Sequence, residues 1–492
     1  MRMKRKAIQA YLFAALLACA GVWASSALSG CIFYLNPQCN DQISNGDETG
    51  LDCGGSCPQR CNVGDGCSSD ADCDDSTCRS GTCTAFPCAN GVKDGDETDV
   101  DCGGTCRKCA GARQCTADTD CFSGTCEPAS MTCSGLTMVS FADAVSYDSG
   151  FKTYAMFTGD LNGDGVLDIA AANEAESSIA VFINLGTGVF QRVAPSFPTG
   201  EYPTGITSGD FNNDHIPDVV TANYHGNSVS VLLNNGSGVL GAPFSSPTVA
   251  GAETSNLAVG DVNGDGKLDV VATNPSNASI SQFFGNGDGT LGTATTMPLG
   301  IIGDYRPFSV AVGDFDENGT ADIAVADVLV GPIIVKLGNG DGTYQAEQSF
   351  QAGGTGARIM ITADMNHDGH LDLISANRGS NDVSVLIGRG DGTFRKGVVS
   401  TTGRDTGPYA VAVADFNRDG VPDVFTANYV TGNGSVLLGI GDGTFEDPID
   451  VGPTGSACYG AAAGDFDGDG KPDLANGNAN DNNVTVKLST SQ

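Results

Sequence analysis

Seven short segments of the sequence place oxygen-bearing side chains at alternate positions among glycines. They begin at Asp160, Asp210, Asp261, Asp314, Asp364, Asp415 and Asp465, and they read DLNGDGVLD, DFNNDHIPD, DVNGDGKLD, DFDENGTAD, DMNHDGHLD, DFNRDGVPD and DFDGDGKPD. Each segment has aspartate or asparagine at positions 1, 3, 5 and 9, and six of the seven have glycine at position 6. Because clustered carboxylates repel one another, this pattern predicts a bound cation that neutralises them.

The chemistry that these residues favour is calcium coordination. Ca²⁺ takes six to eight hard oxygen ligands, and alternate residues of a tight loop can supply them. A glycine at position 6 permits the chain reversal that brings in the carbonyl oxygen of position 7. We therefore expect up to seven structural calcium ions. The predicted ligands are Asp160, Asn162, Asp164, Val166, Asp168, Asp210, Asn212, Asp214, Ile216, Asp218, Asp261, Asn263, Asp265, Lys267, Asp269, Asp314, Asp316, Asn318, Thr320, Asp322, Asp364, Asn366, Asp368, His370, Asp372, Asp415, Asn417, Asp419, Val421, Asp423, Asp465, Asp467, Asp469, Lys471 and Asp473.

An EF-hand also contains an acidic loop, but it requires glutamate at position 12 and a helix after it. Position 12 is never glutamate here, and strand-like text such as DVVTAN follows position 9. The EF-hand is therefore excluded. We expect the second site to bind most weakly, since His215 replaces the glycine at position 6. His367 and His370 could suggest a transition metal, but position 4 is expected to point outward and position 7 to use its carbonyl oxygen.

The elements that hold these loops must recur with them. The intervals between loops are 50, 51, 53, 50, 51 and 50 residues, and apolar runs such as SVAVGDF and VSVLLNNGSG alternate with turns. No segment has a helical period, so each repeat is predicted to form four short strands, as in a propeller blade. The last repeat lacks its outer strand, and residues near 137–146 are expected to supply it and close the ring.

The repeats resemble the FG-GAP and VCBS families, including the integrin α-subunit head, through Gly-Asp-x-(Asn/Asp)-x-(Asp/Asn)-Gly-x-x-Asp. The resemblance spans about 355 residues. It implies an all-β, seven-bladed β-propeller with calcium in the loop that joins the first two strands of each blade. In this family the opposite face usually carries ligands. Candidate contact residues near that face are Tyr202, Tyr224, Tyr305, Arg306, Tyr409 and Tyr429.

Sixteen of the 19 cysteines lie between Cys39 and Cys133, in two segments of similar spacing. Each segment has few large apolar residues, so crosslinks must stabilise it, and eight disulfides of undetermined pairing are expected. A zinc site is the less favoured use of these cysteines. The texts NGDETGLDCGGSC and DGDETDVDCGGTC resemble small disulfide-rich modules of secreted bacterial surface proteins. That resemblance implies a stalk, a spacer or a binding module.

The N-terminus has the features of an export signal, with basic MRMKRK before an apolar stretch. It ends in LSGC, which resembles a lipobox with Cys31 as the lipidated residue; Cys19 is a poorer candidate, and an uncleaved membrane anchor is the alternative. We expect an exported protein held by lipid at the outer membrane or cell surface, with secretion as the alternative. The expected divisions are a signal at 1–30, an anchor and linker at 31–38, disulfide-rich modules at 39–87 and 88–133, and the propeller at 134–492.

The net charge of −35 argues against nucleic acid as a partner and limits membrane contact to the lipid. With four histidines and no recognisable catalytic constellation, an enzyme is the less favoured class, although the question stays open. We expect a calcium-binding surface protein whose propeller binds a glycan or a protein. The alternatives are a polysaccharide lyase or hydrolase on the same ring and a structural or assembly protein. A central channel with clustered tyrosine, arginine and acidic side chains would favour the enzyme.

Overall fold

A computed structural model describes residues 61, 67–68, 76–79, 82–85, 93, 97–100, 102, 108–134, 139–300, 305–329 and 332–491. The chain divides into two compact units, Met1–Phe86 and Pro87–Gln492. The expected export signal, the expected lipidation site Cys31 and most of the first cysteine module lie outside the described residues. Among the residues described, no helix has both the length and the apolar character needed to cross a bilayer.

The described part of the first unit contains one β-hairpin. Its strands are β1 (Ser76–Arg79) and β2 (Thr82–Ala85), which pair antiparallel. Cys61 and Cys67 of the same unit are both disulfide-bonded. Crosslinked cysteines are what the sequence predicts for a segment too small to bury a core of its own.

The second unit begins with the second cysteine module, whose core consists of disulfides. It contains a 3-10 helix at Asp118–Asp120 and the short strands β3 (Cys126–Glu127) and β4 (Thr132–Cys133). The described bonds are Cys102–Cys109, Cys115–Cys126 and Cys121–Cys133. All six of these cysteines are buried together, so disulfides take the place of an apolar core. These pairings exclude Cys115, Cys121 and Cys126 as thiolate ligands for zinc.

The rest of the unit is a ring of seven antiparallel four-stranded sheets, as the sequence predicts. The first strand after the module is β5 (Val145–Asp148). Blades one to three comprise β6 (Thr153–Gly159), β7 (Asp168–Asn173), β8 (Ser178–Asn184) and β9 (Phe190–Pro198); β10 (Pro203–Gly209), β11 (Asp218–Asn223), β12 (Ser228–Leu232) and β13 (Phe244–Pro247); β14 (Leu257–Gly260), β15 (Asp269–Asn274), β16 (Ser279–Phe283) and β17 (Thr295–Pro298).

Blades four to seven continue in the same order, and the only helical pieces described are 3-10 turns. Their strands are β18 (Pro307–Gly313), β19 (Asp322–Asp327), β20 (Ile333–Lys336) and β21 (Gln348–Phe350); β22 (Ala357–Ala363), β23 (Asp372–Asn377), β24 (Asp382–Leu386) and β25 (Val398–Thr401); β26 (Pro408–Ala414), β27 (Asp423–Asn428), β28 (Asn433–Leu437) and β29 (Ile449–Pro453); β30 (Cys458–Gly464), β31 (Asp473–Asn478) and β32 (Asn483–Lys487). The remaining 3-10 turns are Glu174–Glu176 and Pro275–Asn277.

The hydrophobic core lies between neighbouring blades. Every residue of each second strand is buried, for example throughout Asp168–Asn173, because one blade packs on each side of it. One such cluster joins Val220 and Val231 of blade two to Val270 and Phe283 of blade three. Small and β-branched side chains fill these narrow spaces, which explains why the second strands have sequences such as DIAAAN and DVVTAN.

The ring is closed by the segment that precedes blade one. Strand β5 pairs antiparallel with β32 and becomes the outer strand of blade seven. Just upstream, Phe141 forms a bridge with Ser489, and the amide of Thr490 donates to the carbonyl oxygen of Ser140 at 2.7 Å. The predicted closure is therefore confirmed, although the closing strand lies at 145–148, at the end of the 137–146 stretch that the sequence suggested.

Candidate functional site

All seven acidic loops lie on one face of the propeller. Each joins the first strand of a blade to the second, as residues 160–168 join β6 to β7. This is the position that the resemblance implied. Because the seven blades repeat the same connection, the face carries a ring of seven similar carboxylate clusters.

The aspartate at position 9 of each loop is completely buried and accepts two backbone hydrogen bonds. In blade three, Asp269 accepts from the amide of Val262 at 3.0 Å through Oδ2 and from the amide of Gly285 at 2.8 Å through Oδ1. The same pair of contacts recurs in all seven blades, at distances of 2.7–3.0 Å. Position 9 therefore ties its own loop to the end of the third strand.

Burial raises the pKa of these position 9 carboxyls, and the nearby acids of the same loop add to the effect. The raised pKa is about 6 for Asp168 and Asp269, about 7 for Asp372 and about 8 for Asp423. The backbone hydrogen bonds act in the opposite direction but do not cancel the burial. A cation beside these groups would favour their ionised form.

The side chains at positions 1, 3 and 5 organise the loop around themselves. In loop one, Asp160 accepts from the amides of Asp164 and Gly165 at 3.1 and 2.8 Å. Asn162 Oδ1 accepts from the amide of Asp164 at 3.0 Å, and Asp164 Oδ1 accepts from the amide of Val166 at 2.8 Å. These four contacts recur in every loop.

Two positions of each loop require left-handed backbone. Position 6 has positive φ throughout, including His215 at 66°, where the other loops have glycine. Position 4 also has positive φ, and there Asn213, Glu317, His367 and Arg418 adopt it without being glycine. His215 therefore adopts the left-handed conformation that glycine has in the other six loops, which is uncommon for a residue with a side chain, although histidine adopts it more often than most. The requirement at position 4 was not predicted, because the residue types there vary too much to reveal it.

The donor set fits a hard divalent cation. In loops four and seven the carboxylates at positions 1, 3 and 9 place oxygen atoms within 4.8 Å of one another. These are Asp314, Asp316 and Asp322 in loop four and Asp465, Asp467 and Asp473 in loop seven. The other five loops have asparagine at position 3, whose amide oxygen is also a calcium donor. Whether calcium occupies these loops stays a prediction.

The two histidines of loop five contact protein groups. His367 Nε2 lies 2.7 Å from the carbonyl oxygen of Gly420, and its ring packs against Phe122 with 5.4 Å between centroids. His370 Nδ1 hydrogen-bonds Glu317 of the neighbouring loop, which raises the pKa of the imidazole. Both imidazoles therefore have protein partners between blades, and the expectation that they are not transition-metal ligands stays a prediction.

Loop six is covered by the second cysteine module. The amide of Gly111 donates to Asp419 Oδ2 at 2.8 Å, and Phe122 packs over Gly420 and Gly441. Asn417 and Asp419 of this loop are only 5% and 1% exposed, whereas in loop three Asn263 is half-buried and Asp265 is exposed. The module thus covers loop six, and through Phe122 it also contacts His367 of loop five.

The opposite face carries an aromatic cluster at the end of the central channel. The channel is a cavity of about 390 Å³ lined by the first strands of all seven blades. Six of those first strands contain a β-bulge at their second residue, at the end away from the acidic loops. A bulge re-aims a side chain out of the regular alternation. The bulged residues are Tyr154, Thr204, Phe308, Arg358, Tyr409 and Tyr459.

Four tyrosines meet across this end of the channel. Tyr154 stacks on Tyr459 with 4.3 Å between ring centroids, and its hydroxyl hydrogen-bonds that of Tyr409. Tyr459 also contacts Tyr409 at 4.5 Å and Tyr429 at 5.0 Å. Blades one, six and seven are thereby joined at the axis. We call these four tyrosines, together with Phe308, Arg358 and Arg378, the channel-mouth cluster.

Comparison with known sequences bears on the repeats that build both faces. The profile of the FG-GAP-like repeat matches residues 160–221, 210–272, 261–325, 364–426 and 421–475, which together make up more than half of the chain. The chain belongs to the FG-GAP-like repeat family. No curated protein has a matching sequence.

Solved structures similar to this FG-GAP-like protein include three with different activities. An Agrocybe aegerita lectin that recognises non-reducing terminal N-acetylglucosamine has a TM-score of 0.43 and 21% identity, covering 61% of this chain and 81% of its own. Virginiamycin B lyase from Staphylococcus aureus has a TM-score of 0.48 and 10% identity, covering 70% and 99%. BBS1N, solved in complex with ARL6DN, has a TM-score of 0.47 and 14% identity, covering 71% and 96%. None of these similarities bears on what the present propeller binds.

The tyrosines and the arginine proposed from sequence as ligand contacts occupy different environments on the FG-GAP-like propeller. Tyr409 and Tyr429 belong to the channel-mouth cluster, where Tyr409 is buried and Tyr429 is half-buried. Tyr305 is also buried, and it donates its hydroxyl to the carbonyl oxygen of Val325 at 3.1 Å. Tyr202 and Tyr224 lie apart from the cluster, against the ring of His225 at 4.3 and 5.1 Å. Arg306 is exposed on the same face.

Five members of the channel-mouth cluster were missed by sequence reasoning. They are Tyr154, Tyr459, Phe308, Arg358 and Arg378. A signal was available for the first four of them, since aligning the segments TYAM, PFSV, ARIM, PYAV and CYGA places their second residues at the same point of the first strand. Arg378 follows a second strand and gave no such signal.

Proposed function

We propose that this protein is a calcium-binding recognition propeller, held at the cell surface by lipid on Cys31, which binds a glycan or a protein. The observation that carries the proposal is the contrast between its two faces. One face repeats a cation-type donor set seven times, and the other gathers tyrosine and arginine side chains at the channel end. In this proposal, structural ions bind on one side of the ring and the ligand binds on the other.

In this proposal, the side chains at positions 1, 3, 5 and 9 of each loop and the carbonyl oxygen of position 7 hold the ion. The ion neutralises the acidic cluster and stiffens the connection between the first two strands. The chain's own contribution is the backbone framework, because hydrogen bonds from the loop amides fix each carboxylate before an ion arrives. Ion binding then adds to the free energy of unfolding.

Removal of calcium is expected to lower the melting temperature. An ion that binds only the folded state stabilises it by about 2.7 kcal/mol per site at a hundredfold excess over its Kd. Differential scanning calorimetry of the purified protein in millimolar Ca²⁺ and in EGTA measures the shift, with Mg²⁺ as the control ion. Equal melting temperatures in Ca²⁺ and EGTA would contradict the structural role of calcium.

The recognition function is tested by screening the purified protein, in calcium, against a glycan array and a panel of purified surface proteins. We expect saturable binding that Tyr429→Ala weakens and that Phe244→Ala leaves unchanged, because Phe244 is exposed on an outer strand. Binding to neither panel would refute the recognition function. Shortening of a bound glycan, followed by mass spectrometry, would instead support the lyase or hydrolase alternative.

A further inference from the structure

Two arginines of the channel-mouth cluster pack on its rings. The Cζ atom of Arg358 lies 4.9 Å from the ring centroid of Phe308 and 5.3 Å from that of Tyr409. The Cζ atom of Arg378 lies 4.2 Å from the ring centroid of Tyr429. Cation–π contacts of this kind hold a guanidinium in place without neutralising its charge.

Neither arginine has a carboxylate partner within the part of the chain that the structure describes. The Nε atom of Arg358 is buried and has no hydrogen-bond partner there. The carboxylate of Glu174 is close enough to Tyr154 of the same cluster to affect it electrostatically, but Glu174 forms its ion pair with Lys152, with 3.7 Å between Oε2 and Nζ. In a chain of net charge −35, with 59 acidic residues, two neighbouring arginines without an acid are unexpected. An unpaired buried donor carries a free-energy cost that a ligand can remove.

We propose that the channel mouth is an anion site that binds the carboxylate of a uronic-acid-containing glycan. This inference rests on the proposed recognition function and names the class of ligand. Arg358 and Arg378 take the carboxylate, since a guanidinium offers paired N–H donors that match its two oxygens. Both side chains are only half-buried, so an incoming anion can reach them.

The surroundings of the two arginines favour a sugar over an acidic peptide. Tyr429 and Tyr459 are half-buried, and each presents an apolar ring together with a polar hydroxyl, which suits the mixed surface of a pyranose. Tyr409 is buried, and its hydroxyl is paired with that of Tyr154. Tyr459 belongs to the cluster and also lines the channel cavity, whose volume of about 390 Å³ is in the range of small-ligand sites. The bulged strands fix the backbone beneath three of the tyrosines, so the site is formed before the ligand binds.

The test is isothermal titration calorimetry of the calcium-loaded protein with oligogalacturonate and with the same oligosaccharide methyl-esterified. We expect the acid to bind and the ester to bind at least about tenfold more weakly, because a hydrogen bond to a charged group contributes about that factor. Arg358→Met and Arg378→Met should each weaken binding of the acid by a similar factor. Arg404→Met is the matched control, since Arg404 lies in the loop before β26 on the same face and is fully exposed.

Several outcomes would overturn the anion site. Equal affinity for the acid and the ester would show that the protein does not bind the glycan carboxylate. Equal affinity of the wild type and the two arginine variants would show that these arginines do not contribute to binding. Preferential binding of polyglutamate assigns the site to an acidic peptide. If Arg358→Met melts at a lower temperature than the wild type, Arg378→Met decides, because among the described residues Arg378 lies over one ring, that of Tyr429, and Arg358 lies over two. Binding of neutral glycans alone would contradict the anion site but would still support the recognition function. Binding of no ligand at all would contradict both proposals.

Discussion

The aspartate at position 9 has two roles, and both of them favour its ionised form. It is a predicted cation ligand, and it also receives two backbone amides in a site without solvent. Each carboxylate oxygen has a second lone pair, so both roles are compatible. In blade three, the aspartate at position 5, Asp265, is exposed and has a smaller role in the fold, since its hydrogen bonds lie within its own loop.

These two roles can be separated by substitution in blade three. In EGTA, Asp269→Ala should lower the free energy of unfolding by about 2 kcal/mol or more, because two buried amides lose their acceptor. Asp265→Ala should change it by less than about 1 kcal/mol in EGTA but should reduce the stabilisation that calcium adds. Urea unfolding in both buffers measures these differences. Equal losses for the two variants in EGTA would show that position 9 has no special part in the fold.

Cys458 provides a second test at the scale of one residue. Its side chain is buried beside Thr454, and burial raises the pKa of the thiol to about 11. Because the thiolate is the reactive form, we expect native Cys458 to resist iodoacetamide at pH 8 and to react only as the propeller unfolds. Peptide mass spectrometry measures the labelling, with Ser237→Cys on an exposed turn as the reactive control. Rapid labelling of native Cys458 would mean that blade seven opens readily.

At the residue scale, the repeated loop residues could be predicted from the sequence, whereas side-chain contacts between distant blades could not. Oxygen donors at positions 1, 3, 5 and 9 recur at fixed spacing, so the loops could be found by inspection. The contact between Tyr154 and Tyr409 joins residues 255 positions apart, and no local pattern announces it. The same holds for Phe122 and His367, whose contact depends on how the cysteine module docks.

Among the elements, β5 decides whether the ring is closed. Tyr147 of this strand reaches into the core between blades seven and one, 5.6 Å from the ring of Phe190 and 6.2 Å from that of Phe182. Val145 of the same strand is 51% exposed. The closing strand is therefore held by one inward side chain as well as by its ladder with β32.

Tyr147→Ala should destabilise the propeller by about 3 kcal/mol, which is the usual cost of removing a large aromatic side chain from a core. Val145→Ala is the matched control on the same strand and should cost less than about 0.5 kcal/mol. Urea unfolding at fixed calcium compares the two variants. If both cost the same, the strand's hydrogen bonds rather than Tyr147 would account for closure.

The predicted elements agree with the structure in type and order, and they differ in their ends. Alternating apolar segments predicted four strands per repeat, because successive side chains of a strand point towards the two neighbouring blades in turn. The bulges of the first strands could not be predicted from that alternation, since a bulge adds one residue without changing composition. The closing strand was placed several residues early for a related reason, because residues 139–142 also pair with the C-terminal end.

At the scale of the molecule, the second cysteine module and the sixth acidic loop share a carboxylate. Asp419 Oδ2 accepts from Gly111, and the same side chain is a predicted calcium ligand. Docking of the module and occupancy of that loop are therefore linked, since each changes the environment of the other.

Phe122→Ala should loosen the module and increase hydrogen exchange in residues 417–421, because the ring covers Gly441 and its backbone covers Gly420. We expect exchange at least about tenfold faster in loop six and unchanged exchange in loop three, which has no such cover. Hydrogen exchange followed by mass spectrometry makes the comparison, with Met131→Ala, an exposed residue of the same module, as control. Unchanged protection of loop six would show that the module does not shield it.

The seam between β5 and β32 has a consequence for biosynthesis. Strand β5 is synthesised some 340 residues before β32, so it stays unpaired with its partner while the six intervening blades are made. A nascent chain that stops short of the last blade has no partner for that strand and leaves an apolar flank of blade one uncovered. Premature termination even a dozen codons from the end should therefore yield not a shortened propeller but an aggregation-prone, unclosed arc.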